Sequence, residues 1–174
     1  MMKKIFFPVD EKKLANLKIG DFIFLNGIFY TCRDAAHKKI FKLIEENKNL
    51  PFTLNHNLIY YVGPTPAPPG KIVGSFGPTT SSRMDTFTPL LYKIGLKGTM
   101  GKGSRNKEVI NACRKYKAIY LITFGGCGAY LSKFVRKIEL IAFEELGAEG
   151  IYKVEVENFP AIVGIDIYGN YLYK

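Results

Sequence analysis

Apolar residues near the start of the chain fall into two short runs that are typical of β-strands. The runs cover residues 22–25 and 28–30, and Asn26-Gly27 lies between them. Asn-Gly flanked by apolar segments is the strongest short-range signal for a two-residue hairpin turn, because glycine accepts the positive φ that such a turn requires. The pattern therefore predicts a β-hairpin over residues 22–30.

A helix is predicted directly after this hairpin, over residues 34–47. Its apolar side chains recur three and four positions apart, at Ala36, Ile40, Leu43 and Ile44. Asp34 stands where an aspartate would cap the N-terminus of that helix. A second strand is predicted at 57–63, and the proline-rich residues 64–71 predict a rigid connection.

The second half of the chain continues as short strands and helices. Residues 118–124 are a continuous apolar run of the kind that is buried inside a sheet. A helix interrupted by Pro89 is predicted at 85–94. Between this helix and the buried run, we predict a short strand and a glycine turn within 97–105 and a helix over 106–116. After the buried run, we predict a glycine-rich turn at 125–133 and a strand that leads into a short helix within 138–149. Residues 151–174 alternate as a strand does, with a turn at Gly169-Asn170.

The order of these elements predicts one mixed α/β domain over residues 1–174. It lacks the regular strand–helix–strand repetition of a doubly wound fold. The sequence contains no internal repeat and no visible boundary to a second domain. A hydrophobic content of 47% in 174 residues is sufficient for a packed core and excludes global disorder.

Composition also limits the cellular location and the kinds of partner that we expect for this protein. No apolar run approaches the roughly 18 residues needed to cross a bilayer. Residues 1–13 begin with basic residues, but their apolar stretch is too short for a signal peptide. We therefore expect a cytoplasmic protein without a membrane partner. The net charge of +10 raises nucleic acid as a partner, but acids accompany the scattered basic residues and no nucleic-acid-binding module is recognisable, so none is expected.

The cysteines and histidines predict no metal site. Cys32, Cys113 and Cys127 are far apart and form no CxxC pair. We expect three reduced thiols that behave as small hydrophobes. His37 and His56 are expected on the surface or on helix faces, and neither lies in a recognisable catalytic setting beside a serine.

Residues 74–85, GSFGPTTSSRMD, raise the question whether they form a linker or a binding site. Glycine, proline and serine suit a linker, but the arginine among them does not. Glycine-rich turns after strands often bind phosphate, and the segments at 96–106 and 125–130 are rich in glycine. Neither has the spacing of a P-loop or of the dinucleotide pattern GxGxxG, which excludes nucleotide binding by those motifs.

After these exclusions, the function that the sequence still favours is the binding of an anion. Arg83 ends the hydroxyl run, Arg33 follows the predicted hairpin, and Lys102 lies in a glycine turn. The guanidinium of arginine matches a carboxylate bidentately, and lysine supplies a point charge. Hydroxyl groups of Thr79 and Thr80 and the backbone N–H groups of the turn would complete such a site. Together these residues predict a site for a small acidic substrate.

Four segments also resemble a known family when they are taken together. They are CRDAAH (32–37), GPTTSSRMD (77–85), GTMGKGS (98–104) and TFGGCGAYLSK (123–133). In this combination the chain resembles the β subunit of class I fumarate hydratases, which is the C-terminal domain of the single-chain versions. The β subunit of L-tartrate dehydratase is similar. The resemblance covers nearly the whole chain and implies an α/β fold, a swivelling β/β/α domain with a mixed sheet flanked by helices.

The resemblance implies a role for each candidate residue in the reversible hydration of fumarate to (S)-malate. Arg33, Thr80 and Arg83 correspond to residues that hold the substrate. Thr79 and Lys102 correspond to catalytic residues, Thr79 for the C3 proton of malate and Lys102 for compensation of charge. A threonine hydroxyl is a poor base, so this role requires dense positive charge nearby.

The resemblance further implies that this chain lacks the Lewis acid that the reaction requires. A 4Fe-4S cluster on an α subunit would act as the Lewis acid on the C2 hydroxyl of malate. The expected assembly has two α and two β subunits, and this chain alone would bind no cofactor and be inactive. Two alternatives stay open, namely the β subunit of an L-tartrate dehydratase and a non-enzymatic module that binds small anions.

Overall fold

A computed structural model describes residues 3–173, which form seven strands and five α-helices. The strands are β1 (Lys3–Phe7), β2 (Phe22–Thr31), β3 (Leu58–Tyr60), β4 (Gly98–Gly101), β5 (Ile119–Ile122), β6 (Val135–Ala142) and β7 (Ile151–Ile165). The helices are α1 (Glu11–Leu14), α2 (Asp34–Glu45), α3 (Thr88–Lys93), α4 (Lys107–Tyr116) and α5 (Gly128–Leu131). Short 3-10 helices cover Ser81–Met84, Ser132–Phe134 and Glu144–Glu149.

Five of the strands close into a barrel. Strands β2, β3, β4 and β5 are parallel neighbours, and β7 pairs antiparallel with both β5 and β2. Strand β1 extends the sheet beside β2, and β6 extends it beside β7. A path of paired residues that starts at Thr31 returns to β2 beside Phe22, so the strands are strongly inclined to the barrel axis. The predicted mixed α/β class is confirmed, whereas the swivelling β/β/α assignment stays a prediction.

The predicted hairpin at 22–30 is wrong, because β2 runs through Asn26-Gly27 without a turn. The strand is paired on both sides, with β1 and β7, and the pairing register shifts between Leu25 and Gly27. Gly27 has a φ of +92°, and a Cβ atom there would collide with the carbonyl oxygen of Phe7. The glycine thus serves a β-bulge, which needs the same positive φ as a hairpin turn.

Alternate residues of the strands face two separate hydrophobic cores. In β3 and the residue that follows it, Leu58 and Tyr60 point into the barrel, whereas Ile59 and Tyr61 face the helices. The helix-side core adds residues of α2, α3 and α4, among them Ile40, Leu91 and Val109. Because both faces are covered, the short strands β3 and β5 consist of apolar and aromatic residues, as the run at 118–124 predicted for β5.

Most of the predicted helices are present, with local differences at their ends. Helix α2 begins at Asp34 and has Arg33 at its N-cap, so the assignment of Asp34 as the cap is wrong by one residue. Helix α3 is shorter than the predicted 85–94, because Pro89 lies in its first turn, where its missing N–H costs nothing. Asn106 caps α4 by accepting a hydrogen bond from the backbone of Val109.

The parallel strands all end at the same edge of the sheet. The segments that follow β2, β3, β4 and β5 therefore converge there, as in other sheets whose ligands bind at the carboxyl ends of the strands. Within residues 3–173, no helix has the length and apolar character needed to cross a membrane.

Candidate active site

The predicted site residues lie in the segments that leave this edge of the sheet. Arg33 follows the end of β2, and Lys102 follows β4 directly. Thr79, Thr80 and Arg83 belong to residues 74–85, named here the hydroxyl segment, which comes after β3. Fold topology therefore brings together residues that are far apart in the sequence.

The hydroxyl segment is packed against the sheet and is not a linker. The backbone N–H of Thr79 donates to the carbonyl oxygen of Tyr61 at 2.7 Å, and that of Ser81 donates to the carbonyl oxygen of Lys102 at 2.9 Å. Phe76 and Met84 anchor the segment at either side, and both are fully buried. Thr79 and Thr80, between these anchors, are partly or largely exposed.

Lys102 lies beside the two threonines. Its backbone forms a parallel β-bridge with Thr80. The side chain of Lys102 passes over Gly125, where a Cβ atom would lie 3.1 Å from the Lys102 Cδ. Gly125 thereby gives the lysine a path along the surface of the segment that follows β5.

Each candidate arginine is oriented by a carboxylate of the same chain. The Arg83 Nε donates to Asp34 Oδ1 at 3.1 Å, and its Nη2 lies 2.8 Å from Asp34 Oδ2. The Nε of Arg33 lies 3.3 Å from Glu149 Oε1. Because these ion pairs are partly exposed, they contribute little to stability, but they hold the guanidinium groups at the edge where an anion would bind.

His37 contacts Arg33 from the buried face of α2, which agrees with the predicted helix-face position and differs from the alternative of a surface position. It is fully buried on the first turns of α2, and its ring stacks on Phe87 at 5.2 Å. The His37 Nδ1 lies 2.8 Å from the Arg33 carbonyl oxygen and 3.1 Å from Cys32 Sγ. Burial lowers the pKa of His37 to about 4, so the imidazole is neutral at pH 7.

The buried His37 predicts a loss of stability on mild acidification. The unfolded chain takes up a proton on this histidine near its ordinary pKa of 6.5, whereas the folded chain does so only near 4. Stability therefore falls as the pH drops through this window, by about 2 kcal/mol between pH 8 and pH 5. Urea unfolding at the two pH values measures the change.

The two histidines provide a matched comparison for this measurement. His37→Asn should remove most of the pH dependence between 8 and 5, and His56→Asn, which changes a more exposed histidine, should retain it. An equal pH dependence in wild type and His37→Asn would contradict the assignment.

Sequence reasoning missed the buried ion pair beneath the site. Arg105 and Asp85 form an ion pair in which Arg105 Nε lies 2.5 Å from Asp85 Oδ1. Arg105 stands in a run of basic and polar residues that resembles a solvated turn, and Asp85 is 20 positions away. Only the topology, which places β4 beside β3, brings the pair together.

The cysteines do not form a metal-ligating cluster in the described part of the chain. Cys32 and Cys113 are buried, and Cys127 is exposed. Burial raises the pKa of Cys113 to about 12 and that of Cys32 well above its usual value, so neither thiol is ionised at pH 7. Among residues 3–173, no three histidine, cysteine or acidic side chains are grouped as metal ligands would be.

Comparison with known proteins places these observations in a family. The sequence model described as "Fumarase C-terminus" matches residues 3–174. The chain is 39% identical to "Fumarate hydratase 2" of Leishmania major over 96% of its length. It is 36% identical to "L(+)-tartrate dehydratase subunit beta" of Escherichia coli over 98% of its length.

The relatives differ in how much of their own length this chain spans. It covers 30% of the Leishmania protein and 30% of "Fumarate hydratase class I, anaerobic" of Escherichia coli, to which it is 38% identical. It covers 87% of the Escherichia coli tartrate dehydratase subunit. The matched region is therefore a minor part of some relatives and nearly the whole of another.

Proposed function

The chain belongs to the fumarase C-terminus family, and we propose that it is the β subunit of an iron–sulfur-dependent hydro-lyase that interconverts fumarate and (S)-malate. The observation that supports this most directly is the convergence of Arg33, the hydroxyl segment and Lys102 at one edge of the sheet. Three cationic side chains and two hydroxyls suit a substrate with two carboxylates.

In this proposal Arg33 and Arg83 bind the substrate carboxylates, and Thr80 adds a hydrogen bond. Both arginines are already oriented by Asp34 or Glu149, so a substrate would bind to pre-aligned guanidinium groups. Preorganisation of this kind reduces the entropy lost on binding.

Thr79 and Lys102 are the proposed catalytic residues. The hydroxyl of Thr79, together with an acid from the α subunit, takes part in the transfer of the C3 proton of malate. Lys102, whose backbone forms a bridge with the neighbouring Thr80, stabilises the negative charge that develops when this proton leaves. Without this cation the alkoxide character required of Thr79 would be inaccessible at neutral pH.

The residues of this chain do not fit an iron–sulfur cluster. Two of the three thiols are buried within the cores, and the third is exposed and distant in sequence from both. We therefore assign the cluster to the α subunit and derive no step through it here. The active site would form between the two subunits, in an assembly of two copies of each.

One observation favours a second substrate. One relative that this chain matches over most of both lengths, the Escherichia coli protein, is named as the β subunit of an L(+)-tartrate dehydratase. (S)-Malate and L-tartrate differ by one hydroxyl, so the cations and hydroxyls described above suit either. The cytoplasmic location and the single domain over residues 1–174 also stay predictions.

Co-expression with a cluster-bearing α subunit tests the proposed function. We expect hydration of fumarate only when both chains are present and the cluster is intact, because neither chain holds the complete site. The purified complex is assayed without oxygen for fumarate hydration and for L-tartrate dehydration in parallel. Each chain alone and the complex treated with an iron chelator are the controls.

Three results would count against the proposal in different ways. Preferred turnover of L-tartrate would replace the substrate and retain the reaction class. Activity of this chain alone would contradict the shared site. Dicarboxylate binding by this chain with no complex and no activity would favour the non-enzymatic anion-binding module.

A further inference from the structure

Arg105 is the most completely buried charged group at the base of the site. It follows Lys102 within residues 102–106, named here the lysine turn, which joins β4 to α4. Its side chain is 0% exposed, and its Nε donates to Asp85 Oδ1. The other carboxylate oxygen of Asp85 accepts a hydrogen bond from the backbone N–H of Asn106 at 2.8 Å. Both oxygens of Asp85 are therefore occupied by the lysine turn.

The two terminal nitrogens and the carbon of the Arg105 guanidinium group contact further elements of the fold. The Arg105 Nη1 donates to Thr99 Oγ1 at 3.1 Å, and Nη2 donates to Thr88 Oγ1 at 2.7 Å. The guanidinium carbon lies 4.8 Å from the centre of the Tyr120 ring and 5.4 Å from that of Tyr61. One side chain thus joins strand β4, helix α3 and two buried aromatic rings.

The guanidinium group of Arg105 stays protonated and charged. Burial acts to lower the pKa of Arg105, but the adjacent Tyr61, Tyr92 and Asp85 outweigh it and leave the pKa above its ordinary value. A buried ion pair is often no more stable than apolar residues of the same volume. Stability alone therefore does not account for such a pair in this position.

The ion pair of Arg105 and Asp85 joins the lysine turn, which bears Lys102, to the hydroxyl segment, which bears Thr79, Thr80 and Arg83. Asp85 lies two residues after Arg83, and Arg105 lies three residues after Lys102. A second connection holds the other side of the same two segments. The Tyr120 hydroxyl lies 2.9 Å from Ser81 Oγ and donates to the Gly103 carbonyl oxygen at 2.8 Å.

We propose that Arg105 and Asp85 are positioning residues that fix the hydroxyl segment and the lysine turn relative to each other. They touch no substrate and act through Thr79 and Lys102. This role rests on the proposed function of the site. A misplacement of about 1 Å in a group that orients the substrate lowers the rate by about 10²-fold, so loss of the connection has a large effect.

The first test is Asp85→Asn in the assembled two-chain enzyme. It keeps the size of the side chain and removes the charge that Arg105 requires. We expect kcat to fall about 30-fold to 100-fold while KM changes less than threefold, since the residue acts on alignment. Asp21→Asn, which changes an aspartate that pairs with Lys3 and accepts from the backbone of Lys18 before the start of β2, is the control and should keep kcat within twofold.

A double-mutant cycle distinguishes positioning from a general structural role. Arg105→Met is combined with Lys102→Met, and kcat is measured for all four enzymes. If Arg105 acts through Lys102, then Arg105→Met lowers kcat less than threefold in the Lys102→Met background. Equal losses in both backgrounds would overturn the proposal.

Amide hydrogen exchange provides a measurement that does not depend on activity. In Asp85→Asn, exchange should accelerate at least tenfold both in residues 79–85 and in residues 102–106, and remain unchanged in β7. Should this variant not fold, the apolar pair Asp85→Leu with Arg105→Met replaces it. Unchanged exchange in both segments would overturn the proposal.

The two proposals fail in different ways. A wild-type complex that turns over neither fumarate nor L-tartrate overturns the proposed function. Accelerated exchange in the two segments of such a complex would still support their connection through Arg105 and Asp85.

Discussion

Replacing Lys102 with methionine should lower kcat/KM of the assembled enzyme by about 10³-fold, because the developing negative charge then loses the cation that we assign to it. Removal of one preorganised electrostatic group from an active site commonly costs 10²-fold to 10³-fold in rate. Methionine keeps an unbranched side chain that fits over Gly125. The backbone bridge between Lys102 and Thr80 is independent of the side chain and should persist.

The measurement is steady-state kinetics on the anaerobic complex, together with its thermal unfolding. Most of the loss should appear in kcat, since Lys102 is assigned to the transition state and not to binding. Lys137→Met, which changes an exposed lysine on β6, is the matched control and should leave both constants unchanged. If Lys102→Met retains kcat within threefold, Lys102 is not beside the reacting atoms.

Much of the helix and strand order could be predicted because those elements have local causes. The apolar run at 118–124 became the buried strand β5, and Asn106 begins α4 through a hydrogen bond within three residues. The alternation near the C-terminus became β7 for the same reason. Periodicity and capping depend on neighbours in the sequence, so the sequence is informative about them.

The hairpin prediction failed because strand pairing is not a local property. Asn26-Gly27 permits a tight turn and a bulge equally well, since both use a positive φ at the glycine. Strands β1 and β7 both pair with β2, and these long-range hydrogen bonds favour a continuous strand. The choice between turn and bulge was therefore made by strands outside this segment, since Phe7 pairs with Gly27 from 20 positions away and Phe159 pairs with Leu25 from 134 positions away.

The candidate site was only partly predictable for a similar reason. Arginine among hydroxyl and glycine residues is an unusual composition, so Arg83 and its neighbours stood out in the sequence. Arg105 and Asp85 did not stand out, because a charged residue looks exposed until the fold buries it. The burial of His37 on its helix face could not be predicted for the same reason, because it depends on Phe87 and the underlying sheet.

Arg83→Lys should lower kcat/KM by about 10²-fold while the chain stays folded. Arg83 is half-exposed, and an ion pair at such a site contributes below about 1 kcal/mol to stability, so its loss is tolerated. Activity is affected more, because the planar guanidinium donates from Nε to Asp34, lies beside the second oxygen of Asp34 with Nη2, and still presents a donor to a second carboxylate. The ammonium group of lysine cannot match both partners in this fixed geometry.

Kinetics on the complex with fumarate measure this change, and Arg136→Lys is a closely matched control. Arg136 is also half-exposed and donates from Nε to a carboxylate, that of Glu157 at 2.9 Å, but it lies on β6 away from the site. We expect its activity to be that of wild type. A second variant, Asp34→Asn, releases Arg83 without removing it and should raise KM about tenfold, because the guanidinium is no longer pre-aligned. Wild-type kinetics in both Arg83→Lys and Asp34→Asn would place the substrate carboxylates elsewhere on this edge.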